Sequence, residues 1–441
     1  MQQKSSRNLV SNIVQVGLYK LFNVLLGFAM VALVVDYLDT YKYGVWVTLT
    51  SISAWFSFFD IGLGNGLRNK FAEAKAKNNI LDARVYVSTA YVVIGGIVLL
   101  LLGLYFAISF LLDWNLILNV HQDKINEVEL SRVALVVFVF FIIRFFSSLI
   151  TSMLLGDQRA SLVSFLDFLG KLLVYCLLWV IVYMKIESFA LFALVVSAVP
   201  ILLLTVFTIV MFQGRYREVS PSFQLFETKV ARSLLNLGAK FFVIQIAFFL
   251  LYQTNYFIIT HLINPAEVTT YDVAFRLFTA FTMGFSVVMT PMWSAFTDAW
   301  HKSEFTWVNK TVNRLIQLWF LFILASAGVL YFVDDIYSFW LKGKVEIPFV
   351  ISLLMAIVVL LNLWNTIFST FLNGIGKLKL QLYFSIISAL INVPLAIWLG
   401  RRYGIEGLLM ANLIIGFVGA IVYFIQYRKI VTQQAKGIWN A

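Results

Sequence analysis

Hydrophobic positions along this chain come in long runs, not in alternation. Runs of about 20 mostly apolar residues recur between short polar interruptions, which is the length a helix needs to cross a bilayer. They predict spans near residues 11–35, 44–64, 85–112, 131–156, 162–184, 187–212, 234–262, 271–296, 311–333, 347–372, 379–399 and 404–427. The narrowest division, between the fifth and sixth, is Met184-Lys185-Ile186-Glu187-Ser188. No intervening segment is polar enough to form a soluble domain. The expected fold is an all-α integral membrane protein of about 12 transmembrane helices.

Polar residues inside the spans follow helical spacing. Span one carries Asn8, Asn12, Gln15, Tyr19 and Asn23 at steps of three or four, on one helix face. Span two has Thr50, Ser53, Ser57, Asp60 and Gly64 at similar steps. Span four has Arg144, Ser147 and Thr151, and span ten has Asn362, Asn365 and Ser369, each 218 residues on. Helix–helix hydrogen bonding would account for such stripes. A hydrated cavity accounts for them better, because the same face is polar in matching spans.

That match is part of an internal repeat. Phe71-Ala72-Glu73-Ala74 after span two parallels Phe296-Thr297-Asp298-Ala299 after span eight, 225 residues on, and Lys77 then parallels Lys302. Gly156-Asp157-Gln158-Arg159 after span four parallels Gly374-Ile375-Gly376-Lys377 after span ten. Asn12 parallels Asn236. A repeat after six spans preserves orientation, so the expected organisation is two parallel six-helix bundles around a central cavity, residues 1–215 and 216–441.

Charge fixes orientation. Only 12% of residues are charged and 61% are hydrophobic, half the charge of a soluble protein. The net charge of +11 would point to nucleic acid in a soluble chain, but here it lies in short loops. The amino terminus, the loops after even-numbered spans and the carboxyl tail hold 20 Lys and Arg, against 8 on the other side. By the positive-inside bias both termini are expected in the cytoplasm. No cleavable leader follows Lys4 and Arg7, so the first run reads as a retained span.

Ionisable residues inside the spans are costly and mark function or pairing. Lys20, Arg144, Lys171, Lys240 and Arg276 stand there against the acids Asp60 and Asp167. Arg144 and Lys171 should lie near mid-depth, where a charge costs at least ~2.5–3.5 kcal/mol. Lys240 and Arg276 are one to two turns in and could instead snorkel to the surface. Asp167 and Lys171 are spaced to pair on one helix face, which suits a structural role as well as a substrate one. Asp60 precedes Gly62, Gly64 and Gly66 and could be a helix cap or a proton or cation site. These glycines form no nucleotide fingerprint. His121, His261 and His301 lack metal-ligand spacing, no nucleophile elbow occurs, and the single Cys176 excludes an intramolecular disulfide. No enzyme active site, metal centre or nucleic-acid surface is expected.

Several strings resemble one family. Phe59-Asp60-Ile61-Gly62-Leu63-Gly64-Asn65-Gly66-Leu67-Arg68-Asn69-Lys70-Phe71 is similar to the end of span two in the polysaccharide (O-antigen, Wzx-type) flippases of the multidrug/oligosaccharidyl-lipid/polysaccharide (MOP) exporter superfamily. Tyr43-Gly44-Val45-Trp46, Tyr271-Asp272-Val273-Ala274-Phe275-Arg276 and Asn373-Gly374-Ile375-Gly376-Lys377 resemble the same family. The resemblance implies transfer of an undecaprenyl-pyrophosphate-linked oligosaccharide across the bacterial cytoplasmic membrane by alternating access. It implies an ion gradient of H+ or Na+ as driving force, with no cofactor. Membrane lipids, a polysaccharide polymerase and a chain-length regulator are the further partners implied. On that reading Arg144, Lys240 and Arg276, then Lys20 and Lys171, would meet the pyrophosphate. Asn12, Gln15, Asn23, Ser57, Asn362 and Asn365 would line the cavity, and Asp60 or Asp167 would couple the ion. The nearest alternative is a multidrug or small-molecule antiporter of the same superfamily. A membrane-embedded polymerase or ligase would need a larger outer loop than Leu112 to Leu130.

The topology is testable. A carboxyl-terminal alkaline phosphatase fusion should be inactive, and a fluorescent-protein fusion at the same point bright. The reverse result would place the terminus outside.

Overall fold

The computed structural model describes residues 2–55, 63–234 and 254–440. The helices are α1 (Gln2–Trp55), α2 (Leu63–Ala76), α3 (Ile80–Ser109), α4 (Trp114–Ile117), α5 (Glu127–Ser147), α6 (Leu149–Gly156), α7 (Ala160–Tyr183) and α8 (Phe189–Gln213). They continue as α9 (Thr254–Leu262), α10 (Pro265–His301), α11 (Phe305–Tyr331), α12 (Val333–Leu341), α13 (Phe349–Ile375) and α14 (Lys379–Val431). No strand occurs among the described residues, as expected where every backbone polar group must be satisfied within its own segment.

Nine helices among the described residues are long and apolar enough to cross a membrane. Two of them are broken and hold two spans each. In α1 the break is Asp39, at φ 66°. Its carboxylate accepts from the backbone N–H of Tyr41 at 2.7 Å and of Lys42 at 3.0 Å, so it caps the helix that follows. In α14 the break is Gly404, at φ 62°, where a glycine meets no Cβ penalty. Only the end of the expected seventh span, α9, lies within the described residues.

Helix starts follow from the polar interruptions. Asn79, Asn126, Ser188 and Asn264 each accept a backbone N–H of the first turn, from Asp82, Val128, Leu191 and Glu267. Ser188 separates α7 from α8 at the narrowest division in the sequence. Large apolar side chains remain exposed along the helices, such as Leu99, Leu100, Leu321 and Leu324, and these face the lipid.

The repeated strings have repeated backbone geometry. Asn78 and Ser303 are left-handed, at φ 51° and 59°. Beside them Asn79 N–H donates to Ala74 C=O and Glu304 N–H to Ala299 C=O, both at 2.9 Å. Gln158 and Gly376 are left-handed too, at φ 58° and 75°, with Arg159 N–H to Leu154 C=O at 2.8 Å and Lys377 N–H to Leu372 C=O at 3.0 Å. These are Schellman helix ends, matched residue for residue at the offsets of 225 and 218. The acid of each first string pairs with a lysine one turn on, Glu73 with Lys77 and Asp298 with Lys302. A further match was not legible in the sequence. Asn119 and Lys342, after the short helices α4 and α12, are both left-handed at φ 50° and 54°.

By its contacts the chain forms two units. Unit 1 is Met1–Lys42 with Thr48–Ile246, and unit 2 is Tyr43–Val47 with Ala247–Ala441. In unit 1, α5 packs on α8 and α3, and α2 packs on α6 and α3. The turn after α6 is tied by Asp157, which accepts from Lys75 and Arg159 and from the Tyr216 hydroxyl. In unit 2, α13 packs between α10 and α14 through a cluster of Phe296, Phe368, Phe371 and Tyr427 rings.

Gly44 is where unit 2 is tightest, since a Cβ there would run into the backbone carbonyl of Pro265. Gly44→Ala should destabilise the protein by about 1–3 kcal/mol and lower the temperature at which purified protein loses monodispersity. Gly17→Ala, whose Cβ would meet nothing within 4 Å, should leave that temperature unchanged.

Candidate functional site

In unit 1 the intramembrane charges gather on α5 and α7. One stripe of α7, Leu166, Gly170, Val174 and Leu178, is buried, and Gly170 lies against Pro200 of α8. Asp167 and Lys171 follow those buried positions by one residue and are exposed. Arg144 occupies the last turn of α5 and is also exposed. Asp167 interacts electrostatically with both Arg144 and Lys171. Two cations therefore bear on one acid among the described residues.

α1 lies beside this group. Tyr19 packs on Phe165 at 5.4 Å between ring centroids, and Phe22 on Phe168 at 5.8 Å. Lys20 and Gln15 are exposed on α1, and Asn23 is half-buried; its Oδ1 has no hydrogen-bond partner among the described residues. Ser147, on the stripe with Arg144, is buried and shares a hydrogen bond with Thr205 at 3.2 Å.

In unit 2 the intramembrane charge is arranged differently. Asp272 is 2% exposed. Its Oδ2 accepts from Arg276 Nε at 2.6 Å and from the Tyr43 hydroxyl at 2.7 Å. Its Oδ1 accepts from the Tyr256 hydroxyl at 3.0 Å. Tyr256 also meets the ring of Tyr271, whose hydroxyl accepts from Asn255 Nδ2 at 3.0 Å. Three donors thus reach one buried carboxylate with both oxygens hydrogen-bonded, which is the condition for keeping it charged out of water. Arg276 is itself 44% exposed on its side chain, and a guanidinium has further N–H donors to offer.

The spacing of Asp272 and Arg276, acid first and four apart, repeats that of Asp167 and Lys171. Asp272 lies inside the expected eighth span, and counting it among the intramembrane acids would have revealed the pair. Tyr43 and Tyr256 carried no such signal. Asn365 donates Nδ2 to Gly416 C=O at 3.1 Å while its Oδ1 has no partner among the described residues. Asn362 accepts the Thr366 hydroxyl at its carbonyl, at 2.7 Å. Lys240, Ser57 and Asp60 lie outside the described residues, as does the side chain of Asn12. Among the described residues no group of three His, Cys, Asp or Glu could hold a metal ion.

Comparisons with known proteins show which fold these long apolar helices build. A multidrug-resistance MATE family transporter of the MOP superfamily, solved in an inward-facing conformation, superposes with a TM-score of 0.76 at 15% identity, covering 93% of this chain and 95% of that one. The chain has the fold of the MOP transporters. The same fold appears in a MOP superfamily transporter from Pyrococcus furiosus, with a TM-score of 0.57 at 16% identity over 97% of this chain and 96% of that one. The family model described as MatE matches residues 241–398 of this MOP-fold chain. Among curated proteins, a candidate O-antigen transporter of Salmonella typhi is 24% identical over 391 residues, 88% of each chain. A candidate O-antigen export protein of Yersinia pseudotuberculosis is 21% identical over 419 residues, 92% of each chain.

The Asp272 network can be tested by double substitution. Asp272→Ala leaves Arg276 without its carboxylate and the Tyr43 and Tyr256 hydroxyls without their acceptor, and should cost about 1–3 kcal/mol. Asp272→Ala with Arg276→Ala should recover part of that loss, read as thermal stability in detergent. Full additivity of the two single effects would show that the pair is not energetically coupled.

Proposed function

We propose that this chain is a flippase, moving an oligosaccharide linked to undecaprenyl pyrophosphate from the cytoplasmic to the periplasmic leaflet of the bacterial cytoplasmic membrane by alternating access. The observation that carries the reading is the pair of exposed cations, Arg144 and Lys171, whose charges both bear on Asp167. Exposed cations on membrane helices suit an anionic cargo, and the pyrophosphate is the anionic part of this one. Relatives named for O-antigen transport over most of their length support the same cargo. A multidrug MATE transporter shares the fold, but exposed cations such as Arg144 and Lys171 suit an anionic cargo better than a cationic drug.

Arg144, Arg276 and Lys240 serve the pyrophosphate, with Lys20 and Lys171 next. Arg is suited to this because its planar fork matches two phosphate oxygens at once. Asn12, Gln15, Asn23, Ser57, Asn362 and Asn365 meet the sugars. An ion gradient of H+ or Na+ drives the cycle through Asp167 or Asp60. The chain itself does no bond-breaking chemistry. A polysaccharide polymerase and a chain-length regulator act on the delivered glycan.

Arg144→Ala should abolish flipping while the protein still inserts. Loss of one charge-assisted phosphate contact, about 1.5–3 kcal/mol, corresponds to a fall of at least ~10-fold. The assay is complementation of a bacterium lacking its own O-antigen flippase, with lipid-linked oligosaccharide measured in each leaflet. Full activity of that variant would remove Arg144 from the site. Transport unchanged after both proton and sodium gradients are collapsed would dismiss ion coupling.

A further inference from the structure

A second polar site lies in unit 1, away from Arg144, Asp167 and Lys171. Between the end of α3 and the start of α5 is a cavity of about 450 Å³, lined by Tyr105, Ser109, Phe110, Trp114, Glu127, Val128, Ser131, Arg132 and Leu135. Its volume falls in the range of small-molecule sites, about 300–1,000 Å³. Helical spacing builds the walls: Tyr105 and Ser109 are one turn apart on α3, and Val128, Ser131, Arg132 and Leu135 share one face of α5. Tyr105 stacks on Phe138 at 5.4 Å between ring centroids, and Trp114 meets the same ring tilted, at 5.1 Å. That stack makes a rigid aromatic wall behind the cavity.

Three properties define what fits. Arg132 and Glu127 carry opposite charges, yet they are five residues apart, which at 3.6 residues per turn sets them about 140° apart around α5. No ion pair or hydrogen bond engages either side chain among the described residues. The hydroxyl of Ser131 adds a neutral donor, while that of Ser109 donates to the Phe106 C=O at 3.0 Å. The rim is apolar and exposed, with Phe110 78%, Val128 56% and Leu135 37% accessible, and α3 and α5 are both membrane-spanning helices. The site therefore joins a separated cation and anion to a lipid-facing apolar edge.

We propose that this cavity binds a zwitterionic phospholipid with a primary ammonium, phosphatidylethanolamine. Arg132 and the Ser131 hydroxyl take the phosphate, as charge-assisted donors do. Glu127 takes the ammonium, and the Trp114 and Tyr105 rings stabilise it further. The acyl chains run over Phe110 and Leu135 into the bilayer. An anionic phosphatidylglycerol would satisfy Arg132 and leave Glu127 unanswered. Phosphatidylcholine has the same charges but no N–H to donate to Glu127. The site is independent of the cargo reading, since it shares no residue with the cationic group of α5 and α7.

The test is native mass spectrometry of the full-length protein in detergent, titrated with palmitoyl-oleoyl phosphatidylethanolamine, phosphatidylglycerol or phosphatidylcholine. The wild type should retain phosphatidylethanolamine at least ~5-fold better than either competitor, the ratio expected of one extra exposed charged contact. Glu127→Gln should erase that preference while phosphatidylglycerol binding holds or rises. Arg132→Ala should weaken every phospholipid, and Lys124→Ala, outside the cavity, should change nothing. Equal retention of the three lipids by wild type would overturn the proposal, and that comparison depends on no variant folding. Unchanged selectivity in Glu127→Gln, or displacement of the lipid by a soluble oligosaccharide, would overturn it as well.

Discussion

Asp272 is a carboxylate kept almost wholly from solvent, and such a group is tolerable only when its lone pairs are answered. Tyr43, Tyr256 and Arg276 answer them from three places in the chain: the start of the second span, α9 and α10. The residues that meet at this carboxylate thereby fix how those segments sit in unit 2. Gly44, next to Tyr43, carries no side chain where the Pro265 backbone approaches, and that allows the hydroxyl to reach. The short segment Tyr43–Val47 groups with unit 2 although the rest of its helix groups with unit 1.

Unit 1 handles charge in the opposite way. Asp167, Arg144 and Lys171 are exposed on their helices, and among the described residues both cations bear on the one acid. In unit 2 the acid is buried and only the outer side of Arg276 is open to a ligand, whereas in unit 1 acid and cations alike are exposed. The same acid-first spacing of four residues thus serves two purposes, and burial decides which.

The spans were legible because apolar length is a strong signal in a chain with so little charge. Even the short division at Lys185 held, because Ser188 caps the next helix. The two broken helices were legible as paired spans but not as continuous helices, since the pivots Asp39 and Gly404 each occupy a single residue. The Asp272 pair was within reach through its spacing. Its tyrosines were not, because Tyr43 and Asp272 are 229 residues apart and only folding brings them together. The α3–α5 cavity was hidden for a similar reason. Its charges, Glu127 and Arg132, read as ordinary loop and span-end residues until Tyr105 and Trp114 are seen behind them.

The matched helix ends bear on ancestry. Of the six left-handed residues at those ends, only Gly376 is a glycine; Asn78, Ser303, Gln158, Asn119 and Lys342 hold the same shape with side chains that favour it less. The letters at these positions have drifted while the backbone has not. Such corners are what two diverged copies of one segment keep longest, because changing a corner redirects everything downstream whereas changing a side chain does not. Aligning the halves of this chain by its left-handed residues extends the match that the repeated strings begin, to positions such as Asn119 and Lys342 where the residues themselves differ.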